Sequence, residues 1–257
     1  MGRVWHTDRG GFRKVRVWVA IAGGAVGFAL VLILHALYGP AALALALAGM
    51  ASAGSIWLWW SVPELGPSAR LAAGALHAVG FALLWAAGAA EAGLPAGFKP
   101  GLVLGCLVAG AILARVGRSR PAWSRACAAA GATLCAWLIA AFSGSQGAPG
   151  SYPSWLELLL GLDPASADAL STLSRKVVHF LFYGTFALLT LRALPGRLSP
   201  RTVGIALLSV ALYSCADETR QTATQVRSGS GWDVLLDLGG ASAVATLSAV
   251  WRRGDNG

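Results

Sequence analysis

Charge is scarce in this sequence. Asp, Glu, Lys and Arg together account for 12% of the 257 residues, whereas 56% are hydrophobic, and the mean hydropathy is +0.63. A soluble domain usually carries about 25% charged residues, and a soluble core of this size could not hide so much apolar surface from water. The shortage of charge therefore excludes an ordinary soluble protein and predicts an all-α, polytopic integral membrane bundle.

Cysteine is scarce as well. The four cysteines are Cys106, Cys127, Cys135 and Cys215, all in or beside apolar segments. The sequence contains no Cys-x-x-Cys pair and no Cys/His ligand spacing, and cysteines of this kind are most often small packing residues. We therefore predict no disulfide, no structural zinc and no cofactor.

Acidic residues are outnumbered by basic ones, at 11 against 20, which gives a net charge of +9. A strongly basic protein can indicate nucleic-acid binding. Here the basic residues recur as small clusters between apolar runs instead of forming one patch, which is the pattern that membrane topology produces. We therefore expect membrane lipids as partners and no nucleic acid.

Apolar runs long enough to cross a bilayer recur along the chain. A spanning helix needs about 20 mostly apolar residues, and eight segments approach this length. Tyr38-Gly39-Pro40 separates the first two, because proline lacks a donor and glycine favours a turn. The first run is too long for a signal-peptide core, so we expect an uncleaved span. The eight predicted spans are residues 15–37, 41–62, 71–91, 100–116, 126–142, 177–194, 202–217 and 233–251.

The distribution of Lys and Arg predicts the orientation of these spans. With the N-terminus in the cytoplasm, 15 of the 20 basic residues lie on the cytoplasmic side. Because cytoplasmic loops carry the excess of basic residues, this split predicts a multi-pass protein of the cell membrane with both termini in the cytoplasm. The loop 143–175 is long enough to be functional, and residues 165–173 in it could form a short interfacial helix. The basic residues on the outer side would be Lys99, Arg175, Lys176, Arg220 and Arg227.

Polar residues concentrate in the last three predicted spans, whereas the first five consist mainly of Ala, Leu, Gly and Val with scattered Trp. The histidines of the first five spans, His35 and His77, are isolated, and we expect them to be structural. Lys176, His179 and Tyr183 are spaced i, i+3 and i+7, so they share one face of the sixth span. They could be an interfacial anchor, with the lysine reaching toward the headgroups and the tyrosine in the aromatic belt. They could equally belong to a binding site.

Four carboxylates lie where the seventh span ends and the eighth begins: Asp217, Glu218, Asp233 and Asp237. An ionised Asp at the bilayer centre costs roughly 2.5–3.5 kcal/mol on insertion scales, and less toward the interface. Such groups need cationic partners or must hold protons. A structural clasp and a binding or active site both fit this pattern. The candidate partners are Lys176, His179, Arg220 and Arg227.

Consecutive helices usually pack as neighbours, so the polar ends of these three spans can meet. Asp217 and Glu218 point about 100° apart on a helix; we expect Glu218 and Gln221 to face the site and Asp217 to cap or bind backbone. Lys176, His179, Glu218, Arg227 and Asp233 are expected to converge on one outer pocket. The candidate substrate-binding residues are Lys176, His179, Tyr183, Asp217, Glu218, Gln221, Arg227, Asp233 and Asp237.

Several short motifs follow one another over about residues 126–250. They are Phe142-Ser143-Gly144-Ser145-Gln146; Lys176, His179, Phe180 and Tyr183; Asp217, Glu218 and Gln221; Arg227; and Asp233 and Gly240. In this order they resemble the VanZ-like family, named for a protein linked to teicoplanin resistance. Arg175 departs from the Asp that often precedes the family's lysine, and Asp237 stands where the family commonly has Asn. The resemblance implies a VanZ-like membrane domain of four helices at 126–251, after an unassigned N-terminal membrane region of four helices at 1–125.

The sequence leaves three functions open. The resemblance implies an envelope protein that affects glycopeptide or envelope-stress sensitivity, and Lys and Arg suit the phosphate or carboxylate groups of a glycopeptide or a lipid-linked or peptidoglycan precursor. An intramembrane enzyme could use His179 with Glu218 or Asp233 for acid–base chemistry on a lipid-linked substrate. A small-molecule transporter or proton relay could use the carboxylates. No metal site is predicted, because Lys176 and Arg227 would repel another cation.

Overall fold

A computed structural model describes residues 39–62, 64–89, 121–142, 157, 160–195, 198–224 and 229–254 of the chain. Within these ranges the regular secondary structure is entirely helical. Six long helices are present, and we number them in chain order. They are α1 (Gly39–Trp60), α2 (Pro67–Ala89), α3 (Pro121–Phe142), α4 (Pro164–Ala193), α5 (Pro200–Ala223) and α6 (Gly231–Gly254).

Four of these helices are long and apolar enough to cross a membrane. The stretches that qualify are Gly39–Trp60 in α1, Pro67–Ala86 in α2, Ser124–Ala141 in α3 and Gly231–Val250 in α6. They correspond to the spans predicted at 41–62, 71–91, 126–142 and 233–251. Large apolar side chains such as Leu45, Leu76, Leu83 and Leu247 are exposed on them, as expected of surfaces that face lipid. The described part of the chain has the all-helical structure of a membrane protein.

The prediction of eight spans is not supported. The spans predicted at 177–194 and 202–217 are helical, as α4 and α5, but neither is apolar enough to qualify as a candidate span. In α4, Lys176 and Arg192 flank the apolar stretch, and the last third of α5 carries Asp217, Glu218 and Arg220. The spans predicted at 15–37 and 100–116 lie outside the described residues.

The predicted interfacial helix at 165–173 is not a separate element but the beginning of α4. The Asp163 carboxylate accepts hydrogen bonds from the backbone N–H groups of Ala165 and Ser166, both at 3.1 Å, and Pro164 occupies the first turn. The hydrogen bond from the Ser166 hydroxyl lowers the pKa of Asp163 below its ordinary value. The resulting helix of 30 residues is about 45 Å long, more than the roughly 30 Å hydrocarbon core.

Helix α4 runs parallel to α6 and makes the most extensive helix–helix contact in the described structure. The direction follows from the contacts, because Lys176 meets Asp233 near the beginning of both helices and Gly184 approaches Gly240 further along. Helix α5 packs against α6 in the opposite direction. Helices α4, α5 and α6 therefore alternate in direction.

Small side chains line the helix contacts in the core. On α3, Ala129, Ala132 and Ala136 are fully buried, and small residues of this kind let membrane helices approach closely. The Tyr213 ring of α5 belongs to the same buried core. It makes edge-on contacts with the rings of Phe81 and Phe186, with centroids 4.8 and 5.0 Å away. This core fixes α5 against α2 and α4.

Replacing Gly240 with alanine should destabilise the protein by about 1–3 kcal/mol, the usual cost of overpacking. A methyl group at Gly240 would overlap the carbonyl oxygen of Phe180, which belongs to the backbone of α4 and cannot move alone. The matched control is Gly239→Ala, where the added atom would lie 3.7 Å from the Phe180 ring. Thermal unfolding in detergent measures both, and equal stability of the two variants would contradict the close approach of α4 and α6.

Candidate functional site

Ionisable side chains of α4, α5 and α6 meet where α5 ends and α6 begins. Several of them are buried, although a charged group inside a membrane bundle is costly and usually functional. Two ion pairs between α4 and α6 and five buried polar residues of α5 make up most of this site. We call it the polar cluster, and its members are Lys176, His179, Tyr183, Ser214, Asp217, Glu218, Arg220, Gln221, Asp233 and Asp237.

Two ion pairs join the parallel helices α4 and α6. The Lys176 Nζ atom lies 3.2 Å from Oδ1 of Asp233, and the His179 Nδ1 atom lies 3.4 Å from Oδ1 of Asp237. The first is a hydrogen bond, whereas the second is within ion-pair distance but lacks hydrogen-bond geometry. The two pairs are about one helical turn apart on both helices.

Asp237 is the deepest carboxylate of α6, as its position in the sequence predicts. Its Oδ2 atom accepts a hydrogen bond of 2.6 Å from the Ser214 hydroxyl of α5. The sequence suggested Glu218 or Asp233 as the partner of His179, and the structure gives Asp237 instead. The reason is the register between parallel helices, which brings Lys176 to Asp233 and the next turn of α4 to the next turn of α6.

Arg220 is fully buried and lies on the side of the cluster that faces α2 and α3. Its Nη2 atom lies 3.1 Å from Oδ1 of Asp217, and Nη1 donates to the backbone carbonyls of Trp85 and Ala140 at 3.0 and 3.2 Å. The guanidinium also lies over the Trp85 ring, 5.6 Å from its centroid. From the sequence, Arg220 was placed on the outer side and named as a candidate partner of the carboxylates, but it was not among the candidate binding residues. Its spacing of three residues from Asp217 was the signal that could have identified it.

Glu218 and Asp217 exchange the roles expected of them. Glu218 Oε2 accepts the backbone N–H of Ser230 at 2.7 Å, directly before α6 begins, where amide groups lack helical partners. Gln221 donates to Oδ2 of Asp217 at 2.9 Å, so it joins Asp217 rather than Glu218. The longer side chain of Glu218 reaches the neighbouring helix, which the helical period alone does not reveal. Arg227 lies outside the described residues.

Several buried polar atoms of the cluster have no hydrogen bond within the described structure. They include Oε1 of Gln221, and also Nδ1 of His179 and Oδ1 of Asp237, which face each other at 3.4 Å without hydrogen-bond geometry. Tyr183 is buried among the helices, so it does not belong to a lipid-facing aromatic belt. Native proteins rarely leave such atoms unsatisfied, and water or a ligand commonly fills the need.

A second buried polar network connects α1, α2, α3 and α5. His77 receives hydrogen-bond partners on both ring nitrogens, Thr133 at 3.1 Å from Nδ1 and Tyr213 at 3.1 Å from Nε2. The Trp59 indole donates to Thr133 at 3.0 Å, and Ser55 is hydrogen-bonded to Tyr213. We call these five residues the His77 network. His77 is structural, as predicted, but it is not isolated, and it ties the predicted N-terminal region to the helices that follow.

The chemistry of the polar cluster suits ion pairing, hydrogen bonding and proton transfer. Among the described residues, no group of three or more His, Cys, Asp or Glu side chains is arranged to hold a metal ion. Lys176 and Arg220 bring cationic groups beside the carboxylates.

Comparison with known proteins points to one family. A family model described as VanZ/LLP1 matches residues 123–252, half of the chain. The match extends from α3 to α6 and includes every member of the polar cluster. Neither a curated protein nor a solved structure gave a significant match.

Replacing Arg220 with methionine should destabilise the protein by about 3–5 kcal/mol, because the buried carboxylate of Asp217 would lose its countercharge. Adding Asp217→Asn to this variant should recover much of the loss, since the amide is neutral and still accepts the hydrogen bond from Gln221. Arg201→Met, at an exposed position of the same helix, should change stability by less than about 0.5 kcal/mol. Detergent-based unfolding provides the measurement, and additive effects in the double variant would rule out the pairing.

Proposed function

Because the chain belongs to the VanZ/LLP1 family, we propose that it is a multi-pass protein of the cell envelope that binds a polar ligand at its polar cluster and thereby alters sensitivity to teicoplanin-type glycopeptides or to other envelope stress. The ligand would be a glycopeptide, a lipid-linked precursor or a peptidoglycan precursor. The observation that carries the proposal is the burial of Asp217, Glu218, Arg220, Gln221 and Asp237 among apolar helices.

Stability alone does not account for this cluster. Replacing a buried ion pair with well-packed apolar residues is often neutral or stabilising, so a protein that needs only a helix clasp has cheaper solutions. The cluster also extends to the surface, because Lys176 is exposed and His179 is partly exposed. A buried charged centre with a partly exposed entrance supports a binding site.

The distribution of arginine supports an outward-facing cluster. Arg70 and Arg125 lie near the beginnings of α2 and α3, Arg192 lies near the end of α4 and Arg201 at the beginning of α5. All four helix ends are opposite the polar cluster, because α2 and α3 both end beside Arg220, whereas α4 begins and α5 ends at the cluster. By the positive-inside rule that opposite side is cytoplasmic. The cluster would then face the outside, with both chain termini in the cytoplasm.

This orientation predicts that a cysteine at Ala165, an exposed residue of the first turn of α4, is labelled in intact cells by a membrane-impermeant maleimide. The four native cysteines are first replaced by serine. A cysteine at Asn256, near the C-terminus, should react only after the cells are permeabilised. The reverse pattern of labelling would overturn the proposed orientation.

A second candidate function is acid–base catalysis on a lipid-linked substrate. The observation that favours it is the His179–Asp237 pair, in which a buried carboxylate faces one ring nitrogen of a partly exposed imidazole. This is the arrangement in which a histidine is oriented for proton transfer.

Expression of the protein should change the sensitivity of its host to a lipoglycopeptide or another envelope drug, and the Lys176→Ala/Glu218→Ala double variant should abolish the change. Lys176 contributes the exposed cation, and Glu218 fixes the beginning of α6 through Ser230. Minimal inhibitory concentrations across a panel of envelope drugs give the readout, with protein abundance checked by immunoblot. Arg201→Ala, at the opposite end of the bundle, is the matched control. A double variant that protects as well as the wild type would remove the basis of the proposal.

A further inference from the structure

Asp237 has a different partner at each of its two carboxylate oxygens. Oδ2 accepts a hydrogen bond of 2.6 Å from the Ser214 hydroxyl, and Oδ1 lies 3.4 Å from Nδ1 of His179. The first distance is in the range of charge-assisted O–H···O⁻ bonds, which fits an ionised carboxylate. Ser214 and Asp237 are both buried, so this carboxylate is held away from water between the serine and the histidine.

Ser214 can hold this carboxylate in one orientation because α5 is fixed on both sides of it. The preceding residue, Tyr213, is tied to α1 and α2 by hydrogen bonds of the His77 network. Arg220, further along α5, is tied to backbone carbonyls near the ends of α2 and α3. The Ser214 hydroxyl therefore has a fixed position from which it orients Asp237.

The pairing with Asp237 determines which nitrogen of His179 is available to a ligand. Nδ1 is buried and faces the carboxylate, whereas 25% of the side chain is exposed. A neutral imidazole carries one hydrogen, and a carboxylate beside Nδ1 draws the hydrogen to that nitrogen. Nε2, on the opposite side of the ring, then keeps a lone pair that can accept a proton. The contact of 3.4 Å is consistent with this role, because such bonds are often long in unliganded sites and tighten when a substrate binds.

We propose that Ser214 and Asp237 are positioning residues, which orient His179 so that its Nε2 atom exchanges a proton with a ligand of the polar cluster. In this step an N–H bond forms at Nε2 while an O–H bond of the ligand breaks, and the electron pair of that bond stays on the ligand oxygen. Asp237 stabilises the imidazolium that results. The inference rests on the proposed function, in its acid–base form, for the presence of a ligand that carries a hydroxyl group.

The tautomer of His179 tests this arrangement. Nitrogen-15 NMR of the full-length protein, labelled at its four histidines, distinguishes a ring nitrogen that carries hydrogen from one that does not. The His179→Gln variant assigns the signal. At a pH where the imidazole is neutral, the form with hydrogen on Nδ1 should exceed the other about tenfold or more, the effect of one charge-assisted hydrogen bond. Asp237→Asn should remove this preference, because an amide can donate to Nδ1 as well as accept from it.

Ser214→Ala should reduce the same preference severalfold, because Asp237 loses the bond that fixes its orientation. The matched control is Ser209→Ala, since the Ser209 hydroxyl donates to the Ile205 carbonyl of the same helix, and its removal should leave the tautomer of His179 unchanged. A wild-type His179 with its hydrogen mainly on Nε2 would overturn the proposal. An undiminished preference in Ser214→Ala would do the same.

Diethyl pyrocarbonate, which acylates unprotonated imidazole nitrogens, tests whether Nε2 is accessible in the folded protein. Mass spectrometry of the digested protein should show that His179 is modified. His77 provides an internal control, because it is buried and hydrogen-bonded at both ring nitrogens, and it should stay unmodified. Equal protection of the two histidines would contradict an accessible Nε2 and overturn the proposal.

The drug-sensitivity assay separates this inference from the proposed function. His179→Asn keeps an amide donor on the side of Asp237 but has no atom at the position of Nε2, so a histidine that only links α4 to α6 would tolerate it. We expect His179→Asn to abolish the change in sensitivity, and a variant as effective as the wild type would refute proton exchange at Nε2. A wild-type protein without effect on any envelope drug, but with the expected tautomer and accessibility, would refute the proposed function and support the orientation of His179.

Discussion

Charge buried among apolar helices must be paired, and this constraint determines how the described helices are arranged. Arg220 shows it best, because its guanidinium bonds Asp217 of its own helix and the carbonyls of Trp85 and Ala140 near the ends of α2 and α3. One buried cation thus connects three helices through its hydrogen bonds. The C-terminal ends of α2 and α3 are negative because of their helix dipoles, so their backbone carbonyls are suitable partners for this cation. The polar cluster is therefore part of the fold as well as a candidate site.

The two ion pairs between α4 and α6 depend in turn on glycine residues in both helices. Gly184 and Gly240 let the backbones of α4 and α6 come close enough for the ion pairs to form, since no side chain separates the helices there. Two parallel helices in close contact repeat their contacts at each turn. The pairing of Lys176 with Asp233 therefore leads, one turn deeper, to the pairing of His179 with Asp237.

Apolar length and residue type were enough to predict α1, α2, α3 and α6 as membrane helices, and the order of the polar motifs was enough to recognise the family over its matched segment. Pairings between helices were harder to predict. The sequence fixes which face of a helix Glu218 occupies, but its contact with Ser230 depends on side-chain length and on the register of the next helix. Arg220 was named as a candidate partner of the carboxylates but not as a binding residue, because a charge near a predicted span end resembles a loop residue. Eight spans are not supported, because α4 and α5 carry charges within their helical lengths and do not qualify as candidate spans.

The two buried polar networks differ in whether all of their polar side-chain atoms are hydrogen-bonded. In the His77 network every side-chain nitrogen and hydroxyl, from Trp59 to Ser55, has a hydrogen-bond partner, and no residue carries a carboxylate. A saturated network of this kind stabilises helix packing and offers nothing to a ligand. The polar cluster, by contrast, keeps hydrogen-bonding capacity at Oε1 of Gln221 and opens to the surface at Lys176. Unused polar capacity beside an exposed cation is what a binding site needs and what a structural clasp would have eliminated.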